Sequence, residues 1–427
     1  MDETFGIVAD AARVKNFVKA VINSNQRHEV WNEKHKDEIQ MGKKLARNKI
    51  PVCIWGPHGI GKTQLLKALA EELTAEEERS PEEKWLFTNI APAQFEEMGD
   101  LLGMPSIDPG KLDDPSDDKT IMVPPDWTPQ KVEEKRLDDT GKNGPGIFLI
   151  DDVNRADIRI INGIMQLLQD FEMASWKMPE GWHMVLTANP PGEDYIVREF
   201  DDAMMTRMMH IEMRYDENVW ARWAEGQGID PRGISFVLAY PELMTGKRTT
   251  PRTLVQFFEA IENIGDLKDP ENSELVNIIG RSCLEAETVA EFIQFVRNNW
   301  SMIIQPEEIL NSKKFKEIEK RFDKLILPKK KKEVKRVDIA NIITQRLVNR
   351  VYVTEEVINK KQRDNIVSYL KIKSMPLDMR VAAGRDLYNF ALRKTNKETS
   401  DAKKKNKKSM TTVFEDPELA KNIIQRM

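Results

Sequence analysis

Two cysteines, Cys53 and Cys283, are all that the 427 residues contain, and they stand more than two hundred positions apart. That spacing draws neither a disulfide framework nor a cysteine-based zinc pattern, and it points to a reducing compartment. Histidine is scarce too: there are five, and none shows HExxH-type spacing, so no imidazole metal site can be drawn. No stretch approaches the roughly 18 consecutive apolar residues that a membrane-spanning helix needs. The opening residues MDETFG lack the basic and apolar regions of a secretion signal. A cytoplasmic protein with no membrane partner is the expectation. No internal repeat is visible.

What the chain does have is enough apolar content to fold. Apolar residues make up 40% and charged residues 32%, which supports a packed core and excludes wholesale disorder. The length exceeds one ordinary core and suggests two or three domains. The net charge of −5 conceals an uneven distribution. From Lys313 onward there are 31 Lys and Arg against 15 Asp and Glu, whereas the first 312 residues hold 34 basic and 55 acidic ones. An acidic body with a basic tail suits a nucleic-acid or other acidic partner, or else a solvated helical face or a disordered arm docking on the acidic body.

The pattern along the chain divides it into four segments. Residues 1–45 read as an N-terminal helical segment, with Val14, Phe17, Val18, Val21 and Ile22 at helical spacing. Residues 46–215 read as an α/β core. IPVCIW over 50–55 is a buried strand, Gln64 to Glu78 a helix, and further strands are expected at 85–90, 146–150 and 182–188. Between Met104 and Gly144 the Pro-, Asp- and Gly-rich sequence forbids a continuous helix and reads as an insertion or loop. Residues 216–312 read as a helical lid. Residues 313–427, with PKKKKEVKR and DAKKKNKK, read as a basic helical extension with flexible joints.

The strongest motif is Gly56-Pro57-His58-Gly59-Ile60-Gly61-Lys62-Thr63, a full match to GxxxxGK[ST] set between a strand and a helix that opens at Gln64. The glycines let backbone N–H groups turn inward around phosphates, and the helix start adds its positive dipole end. Lys62 would reach the β- and γ-phosphates, while the Thr63 hydroxyl would ligate Mg²⁺. His58 occupies a variable position and reads as loop filler. Downstream, GIFLI over 146–150 runs into Asp151 and Asp152, the pattern of a Walker B strand. Asp151 would hold the Mg²⁺ shell, and Asp152 would orient or deprotonate the attacking water. The methionines at 204, 205, 208 and 209 read as packing at a sheet edge or subunit contact, and Trp176 and Trp182 as core.

Those residues resemble a family. Asp151-Asp152-Val153-Asn154-Arg155-Ala156 resembles the DEINRA signature of MoxR-type AAA+ ATPases, and the resemblance spans roughly residues 50–260. PAQFEEMGDLLGMP is similar to the segment before that family's helix-two insert, and WHMVLTANPP over 182–191 resembles its sensor 1 strand, with the asparagine at Asn189. FDDAMMTRMMHI over 200–211 resembles the stretch that carries an arginine finger, placing it at Arg207, and TPRTL over 250–254 looks like sensor 2, placing it at Arg252. The resemblance implies an αβα parallel-sheet P-loop AAA+ core with a helical lid and a helical C-terminal extension. ATP and Mg²⁺ would be its cofactors, and it would form a homo-oligomeric ring, a hexamer. It would remodel or mature a protein partner in the manner of a chaperone, of the kind that carries a von Willebrand factor A domain. The competing expectation is a nucleic-acid-dependent ATPase motor that uses the basic tail; a third is an assembly switch that binds ATP and barely hydrolyses it. One departure stands out: the family's usual Glu is here Asp152, one methylene shorter, which points toward slow hydrolysis or nucleotide gating.

Overall fold

The structure is a computed structural model that describes residues 6–80, 83–108, 119–129, 144–191, 197–298, 300–327, 335–354 and 358–390. The chain divides into two compact units, Met1–Tyr215 and Asp216–Met427. The lysine runs at 329–332 and 403–408 lie outside the described residues.

In the first unit, strands β1 (Ile7–Ala9), β2 (Val52–Trp55) and β3 (Leu86–Ile90) belong to the main sheet, whereas β4 (Met104–Asp108) and β5 (Lys119–Val123) form a separate antiparallel pair. Strands β6 (Gly146–Ile150), β7 (Trp182–Ala188) and β8 (Met209–Met213) complete a six-stranded sheet in the order β1-β8-β2-β7-β6-β3, every pair parallel. Helices α1 (Ala11–Lys34), α2 (Lys36–Gln40), α3 (Lys62–Glu76), α4 (Gly99–Leu102), α5 (Ile158–Asp170) and α6 (Asp202–Met205) accompany it.

Side-chain alternation explains the layering. Val52 and Ile54 of β2, Ile147 and Leu149 of β6, and Ile211 of β8 face one core together with Val14 and Val18 of α1 and Leu66, Leu69 and Leu73 of α3. Cys53 and Trp55, Phe148 and Ile150, and Met184 and Leu186 face the opposite core, where α5 contributes Ile160, Ile164 and Leu167. Both faces are covered, so β2 and β6 read as unbroken apolar runs in place of alternating ones. Gly146 is required by packing: a Cβ there would lie 2.6 Å from the Trp182 indole. The α/β class expected from the sequence is the class found.

Several details differ from expectation. β1 and β8 were not anticipated: β1 is three residues long with Ile7 79% exposed, and β8 opens on the methionine cluster. Within that cluster Met204 and Met208 are buried in the α5-side core, but Met209 is exposed. The Pro-rich stretch, expected to be irregular, includes the β4–β5 ladder, in which Met104 pairs with Val123 and Asp108 with Lys119; its positions 109–118 and 130–143 are outside the described residues. Trp176 and Trp182 are both core residues.

The second unit is helical: α7 (Glu217–Gln227), α8 (Pro231–Ala239), α9 (Pro251–Ile261), α10 (Pro270–Cys283), α11 (Ala286–Asn298), α12 (Pro306–Leu310), α13 (Phe315–Ile326), α14 (Val337–Val353) and α15 (Lys360–Leu370). Phe236, Phe257, Phe258 and Phe292 meet in its core at centroid separations of 5.2–5.8 Å, edge-on and tilted geometries that aromatic rings favour. α14, within the segment read as a helical extension, is a buried helix. It buries Ile339, Ile343, Leu347 and Val351, packs against α7 and α8, and joins Arg346 to Glu225 in an ion pair whose side chains are 3% and 7% exposed. Among the described residues no helix is long and apolar enough to cross a membrane.

His183 of β7 gives the first unit a measurable pH response. Its ring stacks on Trp85 at 5.8 Å, and among the described residues neither ring nitrogen has a hydrogen-bond partner. Burial, with a smaller contribution from Lys49, lowers its pKa to about 3 from 6.5. The unfolded chain therefore takes up a proton between these values that the folded chain refuses, so stability is full above about pH 6.5 and falls as the pH drops toward 3. At pH 5 this one group is expected to cost about 2 kcal/mol. Denaturant titrations of wild type and His183→Met at pH 7 and pH 5 check it: the variant should lose less stability on acidification, and identical losses would refute the assignment.

Candidate nucleotide site

Several of the candidate side chains converge at the carboxyl ends of neighbouring strands, where open α/β sheets place their ligands. β2 ends into Gly56, β6 into Asp151 and β7 into Asn189. The loop from Gly56 to Gly61 needs its glycines: Gly56, Gly59 and Gly61 have φ of 153°, 74° and 95°, and a Cβ on Gly56 would lie 2.6 Å from the carbonyl oxygen of Met213. Gly61, in the left-handed region, is the N-cap of α3 and makes no side-chain cap, so the first-turn N–H groups stay available to an anion.

Lys62 is the first residue of that helix and is buried. Its Nζ donates to the carbonyl oxygens of Gly56 (2.6 Å) and Pro57 (3.1 Å) and to Asn189 Oδ1 (3.2 Å). Burial pushes its pKa down to about 8, while Asp152 and Asp151 oppose the shift. Thr63 Oγ1 donates to Asp151 Oδ2 at 2.8 Å, and Thr187 Oγ1 donates to the other oxygen of that carboxylate. A hydroxyl beside a carboxylate is a donor set suited to Mg²⁺, which takes one or two protein oxygens and completes its octahedron with water and phosphate. Among the described residues no group of three or more His, Cys, Asp or Glu side chains could hold a metal by itself.

Asn189 is the hub. Its Nδ2 donates to Asp152 Oδ1 at 2.9 Å, and its backbone N–H and C=O are both held by the Asn154 side chain, at 3.1 and 2.7 Å. Asn154 and Thr187 are the residues that sequence reasoning missed. Each is fully buried, and the available signal was a polar side chain inside or beside an apolar strand end. Lys62, Thr63, Asp151, Asp152 and Asn189 are thus brought together. His58 and Gln64 are exposed. Arg207 faces outward, with Nη2 on Gln169 Oε1 at 3.0 Å and Nη1 on the Ala203 carbonyl oxygen. Arg252 belongs to the second unit, exposed on the first turn of α9 behind the Thr250–Thr253 capping box.

Neither a protein-family model nor a curated protein matches the chain. Among solved structures, the Thermotoga maritima RuvB Holliday junction branch migration motor is 12% identical, with 67% of this chain and 75% of that one covered and a TM-score of 0.29. PCH-2 of C. elegans is 14% identical over 69% and 71% of the two chains, with a TM-score of 0.31. Hsp104 in its closed state is 13% identical over 66% and 46%, with a TM-score of 0.28. Likenesses of this size carry no argument about function. The site's own geometry has to supply it.

Proposed function

We propose that the chain is an ATP-hydrolysing AAA+ protein of the MoxR type that works as a ring and couples ATP turnover to remodelling a protein partner. The observation that carries this reading is the convergence of Lys62, Thr63, Asp151, Asp152 and Asn189 on one loop at the carboxyl edge of a parallel sheet.

Phosphate oxygens would compete for the Lys62 ammonium, exchanging weak carbonyl partners for charge-assisted ones. The Gly59–Gly61 turn and the α3 amides would cradle the remaining phosphate oxygens. Thr63 and Asp151 would hold Mg²⁺, which supplies charge neutralisation across the β- and γ-phosphates. Asp152 would accept the proton of the attacking water, and the Asn189 amide would fix that carboxylate and the water's approach. By the MoxR resemblance, Arg207, which is hydrogen-bonded to Gln169, would be the finger offered to the next subunit, and Arg252 would be the γ-phosphate sensor. Protein remodelling follows from the MoxR resemblance of residues 151–156.

The ring reading is tested through Arg207. Arg207→Ala should bind ATP nearly as the wild type does and hydrolyse it at least roughly a thousandfold more slowly, the scale of an arginine finger. Mixing it with Lys62→Ala should restore part of the activity, because an intact finger then meets an intact loop at mixed interfaces. A native ATPase rate independent of protein concentration, with only monomers in sedimentation, would refute assembly.

A further inference from the structure

None of the roles above uses Arg155, yet it touches the proposed base. Its Nε lies 3.5 Å from Asp152 Oδ2, while Asn189 Nδ2 donates to Asp152 Oδ1 at 2.9 Å. Each oxygen of this carboxylate therefore has its own neighbour, one a cation and one an amide.

The backbone is shaped to make this contact. Asp152 is in the left-handed region, at φ 50° and ψ 43°, an arrangement that costs a non-glycine residue roughly 1 kcal/mol or more. Its N–H is fixed on Thr187 Oγ1 at 2.8 Å, and the 3₁₀ turn Val153–Arg155 returns the Arg155 N–H to the Asp152 carbonyl oxygen at 3.0 Å. The guanidinium is thereby brought back over the residue three positions earlier. The far end of the turn is held separately: Arg198 N–H donates to the Asn154 carbonyl oxygen at 2.8 Å, and Arg198 Nε to that of Ala156 at 3.2 Å.

As a strut for the fold the pair has little value. The two side chains are 41% and 33% exposed, and an exposed ion pair contributes about 0–1 kcal/mol. Its geometric value is greater. An Asp side chain is aimed by two torsions and lacks the methylene that would give a Glu extra reach, so a second fixed point removes the rotation that the Asn189 contact alone leaves open.

Resting on the ATPase reading of the site, we infer that Arg155 is a positioning residue for hydrolysis: with Asn189 it fixes the orientation of the Asp152 carboxylate toward the attacking water.

The test is a double-mutant cycle in the full chain. Arg155→Ala should lower kcat roughly tenfold to hundredfold, the scale of a misaligned catalytic group. The KM for ATP should change less than about twofold, since the contact serves the transition state and not binding. Arg155→Lys should recover most of the rate, because a single contact to one oxygen does not need the guanidinium fork. In an Asp152→Asn background, read by single-turnover hydrolysis, Arg155→Ala should cost nothing further. An equal loss in both backgrounds would show that Arg155 acts elsewhere, and faster hydrolysis or lost ATP binding in Arg155→Ala would also overturn the inference. Failure of the underlying reading looks different: the wild type would then show no hydrolysis that depends on Lys62, and both proposals would fall.

Discussion

Lys62→Ala is expected to bind ATP at least roughly a hundredfold more weakly than the wild type, and to unfold at no lower temperature when nucleotide is absent. The first half follows from what the lysine would do: charge-assisted bonds to phosphate contribute about 1.5–3 kcal/mol each, and no other cation lies within the loop Gly56–Gly61. The second half follows from what burial does to it. The Lys62 pKa falls to about 8 from 10.5, so between those values the unfolded chain holds a proton that the folded chain has released. Stability without ligand is then reduced at neutral pH and rises as the pH climbs from about 8 to 10.5. At pH 7 the shift corresponds to about 3 kcal/mol, which alanine removes while giving up three hydrogen bonds. Calorimetric titration with ATP and thermal unfolding without it measure the two halves. Unchanged affinity would end the P-loop assignment, and a large drop in unfolding temperature would show that the lysine is structural.

Asp152→Asn should do the reverse: keep ATP and lose turnover. The amide preserves shape and still meets Asn189 after a flip, but it cannot take a proton from water, so hydrolysis is expected to fall roughly 10²–10⁴-fold. The loop, Lys62, Thr63 and Asp151 are untouched, so the affinity for ATP should stay within about threefold of wild type. Isotopic assays of phosphate release alongside equilibrium binding decide it. Undiminished turnover would move the base to another residue, and weakened binding would mean that Asp152 supports the loop itself. On the remodelling proposal, a variant that holds ATP without consuming it should also retain a protein partner that the wild type would release, which would make it the reagent for finding one.

The legible and illegible features of this chain divide along physical lines. The P-loop was legible because its parts are contiguous: Gly56 to Thr63 closes on itself, and positive φ at Gly59 and Gly61 is a local demand that only certain residues meet. β2 and β6 were legible because burial on both faces demands unbroken apolar runs, and β7 because it is apolar at five of its seven positions. β1 failed that criterion, since it is short, at the sheet edge and only partly buried, and β8 failed it because methionine has no strong strand preference. The Pro-, Asp- and Gly-rich composition that excludes a helix also hid the β4–β5 ladder, whose residues are exposed on β5 throughout.

Sequence alone therefore determined the glycine-rich loop, the paired acids at the end of β6 and the α/β class, because backbone conformation and burial periodicity are written residue by residue. Tertiary structure decided the rest. Only the fold sets Thr187 and Asn154 against the acids and the asparagine, brings Arg207 onto Gln169, and buries α14 in the helical unit. Those arrangements join residues tens to more than a hundred positions apart, and what fixes them is which faces of strands and helices meet, a property of packing that no local pattern in the chain encodes.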